Sequence, residues 1–438
     1  MLDRRRTLGV LAAATVTVAG SFVVTARAAA EPATTVTYAA GASATRYSGL
    51  AFDTCTAPTL ASIQAWGASP YRALGIYISG VTRSCAQPQL TASWVTEVSK
   101  LKWRLIPIHK GLQPPCGGKV TDEKITSAGA TAEGTAAADE AVTAAKALGI
   151  LPGSAIYNDI ENYSTSDTAC KTAVLKYLSA WTKRLHGLGY VSGVYVNLSS
   201  GAPQLSSVYT STSYARPDAL WIARYDSNSS LTGWTGVPNS QWATHQRGKQ
   251  YRGGHDETYG GVTINIDNDN FDAPVATVAY TYTVTSTTPL NARTGPSTSY
   301  AVSTSYAPGA AVKVVGQAPG ATVGTTSVWD KLADGTYVTD YYVSTPSKTG
   351  YSPPLPRCTY PYQATASGGL TQRSGPGTSY ANVGTLQNGA LAWVVCQKAG
   401  SKVGTTSVWN KLDNARWVSD YYVATPSNTT YSKPVPRC

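Results

Sequence analysis

The chain has 438 residues, with 35 Lys and Arg against 24 Asp and Glu and a formal net charge of +11. The excess is at the ends: residues 1–30 carry +3, residues 31–281 carry +1 and residues 282–438 carry +7. This length implies two or more domains, and seven cysteines without a Cys-x-x-Cys pair and four His without metal-ligand spacing argue against a thiolate metal or zinc centre.

Residues 1–30 read as an export signal. Asp3-Arg4-Arg5-Arg6 gives a charged start, Leu8–Val24 an apolar stretch, and Ala28-Ala29-Ala30 a small-residue cleavage site. The arginines with Leu8 fit a twin-arginine signal or an ordinary secretory one. The apolar run is too short and too rich in Thr to be expected as a stable membrane span. The mature protein is therefore expected to be secreted, with residues 31–45 as a leader.

Residues 46–272 alternate apolar runs with helical stretches. The runs that read as strands are 49–53, 75–79, 104–109, 155–161, 192–197, 220–225, 242–245 and 263–267. Between them, 58–66, 92–102, 121–148 and 167–188 have helical composition. Eight strands with crossovers predict an α/β fold, a TIM-like (β/α)8 barrel. No Gly-x-Gly-x-x-Gly or phosphate loop opens a helix, so no nucleotide and no cofactor is expected.

In such a barrel the C-terminal strand ends converge on one face. Those ends carry Asp53, Ser79, His109, Asp159 with Glu161, Asn197, Tyr225 with Asp226, His245, and Asp267 with Asp269. Asp159-Ile160-Glu161 is the sharpest element, because positions i and i+2 of a strand face the same way. Two carboxylates that close raise the pKa of one, which suits it to donate a proton. His109, Asn197, Tyr225, Asp226, His245 and Asp269 are candidate substrate-binding groups.

Gly49-Leu50-Ala51-Phe52-Asp53, Tyr157-Asn158-Asp159-Ile160-Glu161 and Ile264-Asn265-Ile266-Asp267-Asn268-Asp269 resemble the glycoside hydrolase-like domain of unknown function 1906. That family is similar to the family-25 muramidases. The resemblance implies Glu161 as general acid, Asp159 as base or as orienter of an acetamido group, and Asp53 and Asp267 lining the site. Its implied substrate is peptidoglycan or a related amino-sugar polymer. A catalytically silent barrel that binds glycan or organises the envelope is the alternative.

Residues 273–281 read as a linker, and the tail beyond repeats itself. Residues 282–358 laid on 362–438 match at 40 of 77 positions. Two copies of alternating short β runs and turn signals predict two small all-β barrels, residues 282–358 and 359–438. Leu290-Asn291-Ala292-Arg293-Thr294-Gly295-Pro296 and Leu370-Thr371-Gln372-Arg373-Ser374-Gly375-Pro376, with Trp329 and Trp409, resemble bacterial SH3-type domains. The copies contain no Glu and no His, so they are expected to bind rather than catalyse. The resemblance implies cell-wall polysaccharide or peptidoglycan as the partner, and so a secreted protein associated with the cell wall. The basic balance suits anionic wall polymers such as teichoic acids rather than nucleic acid, or is simply a solvated surface.

After export the cysteines are expected as disulfides. Cys438 aligns with Cys358, but Cys396 aligns with Gly316, so the first copy lacks an internal partner. The expected pairs are Cys55–Cys85, Cys116–Cys170 and Cys396–Cys438 with Cys358 free; Cys358–Cys396 is the alternative.

Overall fold

A computed structural model describes residues 35–438. The export signal assigned to residues 1–30 lies outside the described residues.

Eight strands close a barrel in the order β1 (Thr45–Asp53), β2 (Ala73–Ser79), β3 (Arg104–His109), β4 (Ala155–Ile160), β5 (Val191–Asn197), β6 (Ala219–Ala223), β7 (Arg247–Tyr259) and β8 (Val262–Val275). Helices α1 (Leu60–Ala65), α2 (Ala92–Lys100), α3 (Ala130–Ala147), α4 (Thr168–Gly187) and α5 (Gly201–Ser207) lie in the crossovers. Their starts are set locally. The Thr91 hydroxyl accepts from Trp94 N at 3.1 Å ahead of α2, and Asp167 Oδ1 from Cys170 N at 2.9 Å ahead of α4.

Strands β1 to β7 pair in parallel, whereas β8 is antiparallel to both β7 and β1. The connection explains the difference. Only Gly260 and Gly261 separate β7 from β8, both at positive φ (58° and 78°), and a two-residue turn of that kind joins antiparallel neighbours only. A Cβ on Gly260 would lie 2.4 Å from the Ala65 carbonyl oxygen, so the hairpin tip is seated on the end of α1.

The strand expected at 242–245 is not formed. Trp242 and His245 have positive φ and lie in a turn, and the strand begins at Arg247. Trp242 is apolar because it is buried under this connection, with its indole N–H on Pro217 O at 2.9 Å.

Inside the barrel, Ala51, Ala73, Ile106, Tyr157, Tyr195, Trp221 and Phe271 pack in one core; Phe52, Leu74, Leu105, Ile156 and Val194 face the helices in another. No helix among the described residues is long and apolar enough to cross a membrane.

The tail forms two six-stranded antiparallel sheets. The first contains β9 (Tyr280–Thr283), β10 (Leu290–Arg293), β11 (Val302–Tyr306), β12 (Ala311–Val323), β13 (Thr326–Leu332) and β14 (Tyr337–Thr339). The second contains β15 (Tyr360–Gln363), β16 (Leu370–Arg373), β17 (Asn382–Leu386), β18 (Leu391–Val403), β19 (Thr406–Leu412) and β20 (Trp417–Ser419). Read from β9 and from β15, the strand orders are identical.

Residues 35–438 belong to one compact unit. Arg46 pairs with Asp413 at 2.8 Å, Leu391 N donates to Gln246 Oε1 at 3.2 Å, and Arg104 donates to Pro354 O at 2.8 Å. Each barrel partner stands at or just before the beginning of a strand. The tail therefore covers the end of the barrel opposite the C-terminal strand ends. The disulfides are Cys55–Cys85, Cys116–Cys170 and Cys396–Cys438, and Cys358 is a buried free thiol.

Candidate functional site

The carboxylates gather where inward-facing positions reach the C-terminal barrel end. Asp53 closes β1 on the same side as Ala51, directly across from Asp267 in the β1–β8 ladder. Gly75 makes room for it, since a Cβ there would lie 2.5 Å from that of Asp53. In β4, Ala155, Tyr157 and Asp159 face inward, and Glu161 continues the same parity just past the strand.

Asp159 and Glu161 share one cation. Lys110 Nζ lies 2.8 Å from Asp159 Oδ2 and also hydrogen-bonds Glu161 Oε1. The two carboxylates are thus within about 6 Å of each other, two hydrogen-bond lengths. Asp159 is buried, whereas the Glu161 side chain is 43% exposed, so Glu161 is the member open to a ligand. Gln113, fully buried, clamps their backbone: its Nε2 donates to Asp159 O, and its Oε1 accepts from Glu161 N, both at 2.9 Å.

Asp53 sits in a hydrogen-bonded chain. Its Oδ2 accepts from Gln250 Nε2 at 2.6 Å and its Oδ1 from the Tyr77 hydroxyl at 3.4 Å. Gln250 Oε1 accepts from the Tyr195 and Tyr225 hydroxyls at 2.7 and 2.8 Å. Burial, then the Asp267 charge, pushes the Asp53 carboxyl up to about 8. Burial and the Asp53 charge raise Asp269 well above the carboxylate range, and burial raises Asp267 too. At neutral pH the Asp53–Asp269 neighbourhood therefore holds protons, while Lys110 draws Asp159 toward its ionised form. The mouth combines a hydrogen-bond-donating carboxyl with an ion-paired one, and no cluster of ligands among the described residues suits a metal.

The remaining sequence candidates divide. Tyr225 is at the rim, 62% exposed, with its hydroxyl on Gln250. Asn197 reaches the mouth on the inward parity of β5, but its Oδ1 is occupied by Ser199 N and Oγ at 2.8 and 2.6 Å. Asp269 lies beneath Asp53, fully buried and held by the Trp221 indole at 3.0 Å, so it supports the site without facing a ligand.

Three candidates lie elsewhere. Ile106 and Ile108 face inward, so His109 points into the helix layer, where it stacks on Trp181 of α4 at 5.4 Å and bonds Ser79 at 2.8 Å. Burial lowers its pKa to about 4 and keeps it neutral. Asp226 pairs with outward-facing Lys249 at 2.8 Å and lines a separate surface hollow with Trp234. His245 is at the opposite barrel end, bonded to Asp272 at 2.7 Å and edge-on to Trp393 of the second sheet.

Lys110, Tyr77, Tyr195, Gln113 and Gln250 are missing from the sequence reading. Lys110 follows His109 by one residue and takes the inward parity that His109 lacks, a parity that the run of apolar residues before it does not disclose. Nothing in the sequence distinguishes Gln113 or Gln250 from other surface-compatible glutamines.

A family model described as "Rv2525c-like, glycoside hydrolase-like domain" matches residues 64–271. Over 88 residues, 17% of this chain and 71% of the other, the chain is 34% identical to its relative YraI, an uncharacterized protein of Bacillus subtilis (strain 168). Among solved structures it is similar to the Tat-secreted protein Rv2525c of Mycobacterium tuberculosis in complex with L-tartrate, with 15% identity and a TM-score of 0.38, covering 51% of this chain and 96% of that one. It is also similar to the catalytic domain of endolysin ply40 from bacteriophage P40 of Listeria monocytogenes, with 16% identity and a TM-score of 0.33, covering 51% and 93%.

Proposed function

We propose that this chain, which carries an Rv2525c-like, glycoside hydrolase-like domain over residues 64–271, is an exported protein that hydrolyses peptidoglycan or a related amino-sugar polymer. The observation that carries the reading is the convergence of Asp53, Asp159, Glu161 and Asp267 on one barrel mouth. Glu161, the exposed member, donates a proton to the leaving glycosidic oxygen as the bound polymer displaces water. Asp159 keeps the Lys110 ammonium and either accepts the proton of the water that attacks the anomeric carbon or orients an acetamido substituent. Asp267 lines the sugar subsite with Asp53 at its floor, where the buried Asp53 carboxyl holds Gln250 and Tyr77 in place. The two tail sheets, with their resemblance to SH3-type domains, hold the protein on the wall. Three disulfides suit an oxidising compartment outside the cell.

Lys110 favours a second reading, glycan binding without cleavage, because its ammonium engages both carboxylates in ion pairs. Zymography on cell walls and on chitin separates the two. Clearing by the wild type that is lost in Glu161→Gln supports the hydrolase. No clearing on either polymer, with wall binding retained, supports the binder.

A further inference from the structure

Between the loops that follow β5 and β6, the barrel wall carries a hollow of about 500 Å3 that no mouth carboxylate lines. Its volume is within the range of small-ligand clefts. The parity of β6 sets it apart from the mouth. Ala223 faces inward, so Tyr225 follows it toward the mouth and bonds Gln250, while Arg224 and Asp226 on either side turn out to the hollow. Lys249 of β7 faces outward too and joins them there.

The charges of the hollow do not cancel. Lys249 Nζ lies 2.8 Å from Asp226 Oδ1 and Arg224 Nε 3.8 Å from Asp226 Oδ2, so two cations share one carboxylate. Lys249 is only 2% exposed, and among the described residues its ammonium bonds Asp226 alone, which leaves two N–H donors without a protein partner. A cation taken that far out of water needs anionic partners. Asp226 Oδ1 is itself divided, since it also accepts from Asn228 N at 3.0 Å. Trp234 adds an apolar surface to the lining, fixed by its indole N–H on Ser230 O at 3.0 Å and by the Arg247 guanidinium stacked on its ring at 4.4 Å. A held aromatic ring beside surplus cations suits a sugar that carries an acid group, the sugar packing on the indole while the carboxylate takes the open donors.

We infer that this hollow binds a sugar ring bearing a carboxylate, with the carboxylate between Lys249 Nζ and the Arg224 guanidinium and the ring against Trp234. The site goes beyond the proposed hydrolysis. It is separated from the mouth by Tyr225, and it stands whether or not the mouth cleaves a polymer.

The experiment titrates the full mature chain with D-glucuronate and with N-acetylmuramate, read by calorimetry and by the indole N–H resonances in two-dimensional NMR. Saturable binding of at least one acid is expected, with the Trp234 indole resonance moving. Affinity should fall about tenfold or more in Arg224→Gln and in Lys249→Met through loss of a charge-assisted hydrogen bond. Arg224 is 57% exposed, so Arg224→Gln should melt as the wild type does and keeps the test decisive if Lys249→Met unfolds. Methyl glucoside, the ring without the acid, and inorganic phosphate, the charge without the ring, should each bind about tenfold or more weakly. Glu161→Gln, which alters the mouth, should bind the acid as the wild type does. The acid held more tightly identifies the kind of polymer that supplies it. Absence of saturable binding of both acids overturns the assignment, as does unchanged affinity in Arg224→Gln or equal affinity for methyl glucoside. Loss of binding in Glu161→Gln would move the ligand to the mouth, and phosphate bound more tightly than either acid would make the hollow a plain anion site; each of these also overturns it.

Discussion

At Asp159 two effects oppose each other. Burial pushes the carboxyl up, the Lys110 ammonium at 2.8 Å pulls it down, and the balance leaves it at about 6. On Lys110 itself, burial works against the charge, but Asp159 and Glu161 outweigh it and hold the pKa above the ordinary lysine value. Lys110→Met removes the cation that favours ionised Asp159, so the carboxyl's pKa must rise. If hydrolysis needs ionised Asp159, the acid limb of the pH–rate profile, near pH 6 in the wild type, should move up by about one unit or more. A variant whose limb stays in place would mean that Asp159 does not set it. Asp159 and Glu161 were legible in the sequence because Ile160 separates two polar residues, which marks the face. His109 was misplaced because Leu105, Ile106, Pro107 and Ile108 are apolar on both faces, so the run does not reveal which residues point inward.

Among the elements, the β7–β8 hairpin carries Asp267 to the mouth and extends past the end of β1. Its turn depends on Gly260, where a side chain would meet both a positive φ and the Ala65 carbonyl. Gly260→Val should cost about 1–3 kcal/mol and lower the melting temperature measurably by calorimetry; an unchanged transition would show that the tip is not held. The sheets of the tail offer a second test. Asp330 and Asp340 are buried around Gln317 in the first sheet, where the second has Asn410 and Asp420 around Gln397. Burial and then Asp340 raise Asp330 well above its ordinary value. The folded state keeps a proton there that the unfolded chain has lost, so this group's contribution to stability falls as pH rises above the usual carboxylate range. Asp330→Asn should therefore stabilise the protein at pH 8 and change little at pH 4, and a melting-temperature difference that does not grow with pH would contradict this. Strands β1 to β6 were largely readable, whereas β7 was not. Arg247 and Lys249 face outward, Arg247 donating to Leu231, Pro238 and Gln241 carbonyls, so the strand starts without an apolar run. The apolar signal came instead from Trp242 in the loop that Arg247 fastens.

Taken as a whole, the molecule has no loose joint at residues 272–281. Strand β8 runs to Val275, and Thr277 is buried, with its N–H on Ser154 Oγ at 2.8 Å and its hydroxyl donating to Ser43 O at 3.0 Å. The core inside the barrel continues into the second sheet through Leu391 and Trp393. Trp393→Ala should cost about 3–5 kcal/mol, and it should split or lower a calorimetric transition that is single in the wild type. An unaffected single transition would mean that the barrel and sheet do not support each other. The same continuity means that cutting the chain after residue 281 uncovers apolar barrel surface. Such a fragment is expected to self-associate, so wall retention is better compared among full-length variants.

The tail closes one end of the barrel and the carboxylates open at the other. A strand such as β3 has six residues, each rising about 3.3 Å, so the closed and open ends stand roughly 20 Å apart. Under the proposed function, a polymer gripped by the tail would consequently not be the stretch that reaches the mouth. The proposed anchoring would impose a fixed stand-off: with one layer held beneath, the mouth would address a strand a barrel's height above. Its reach is set by the length of a β-strand rather than by a flexible tether.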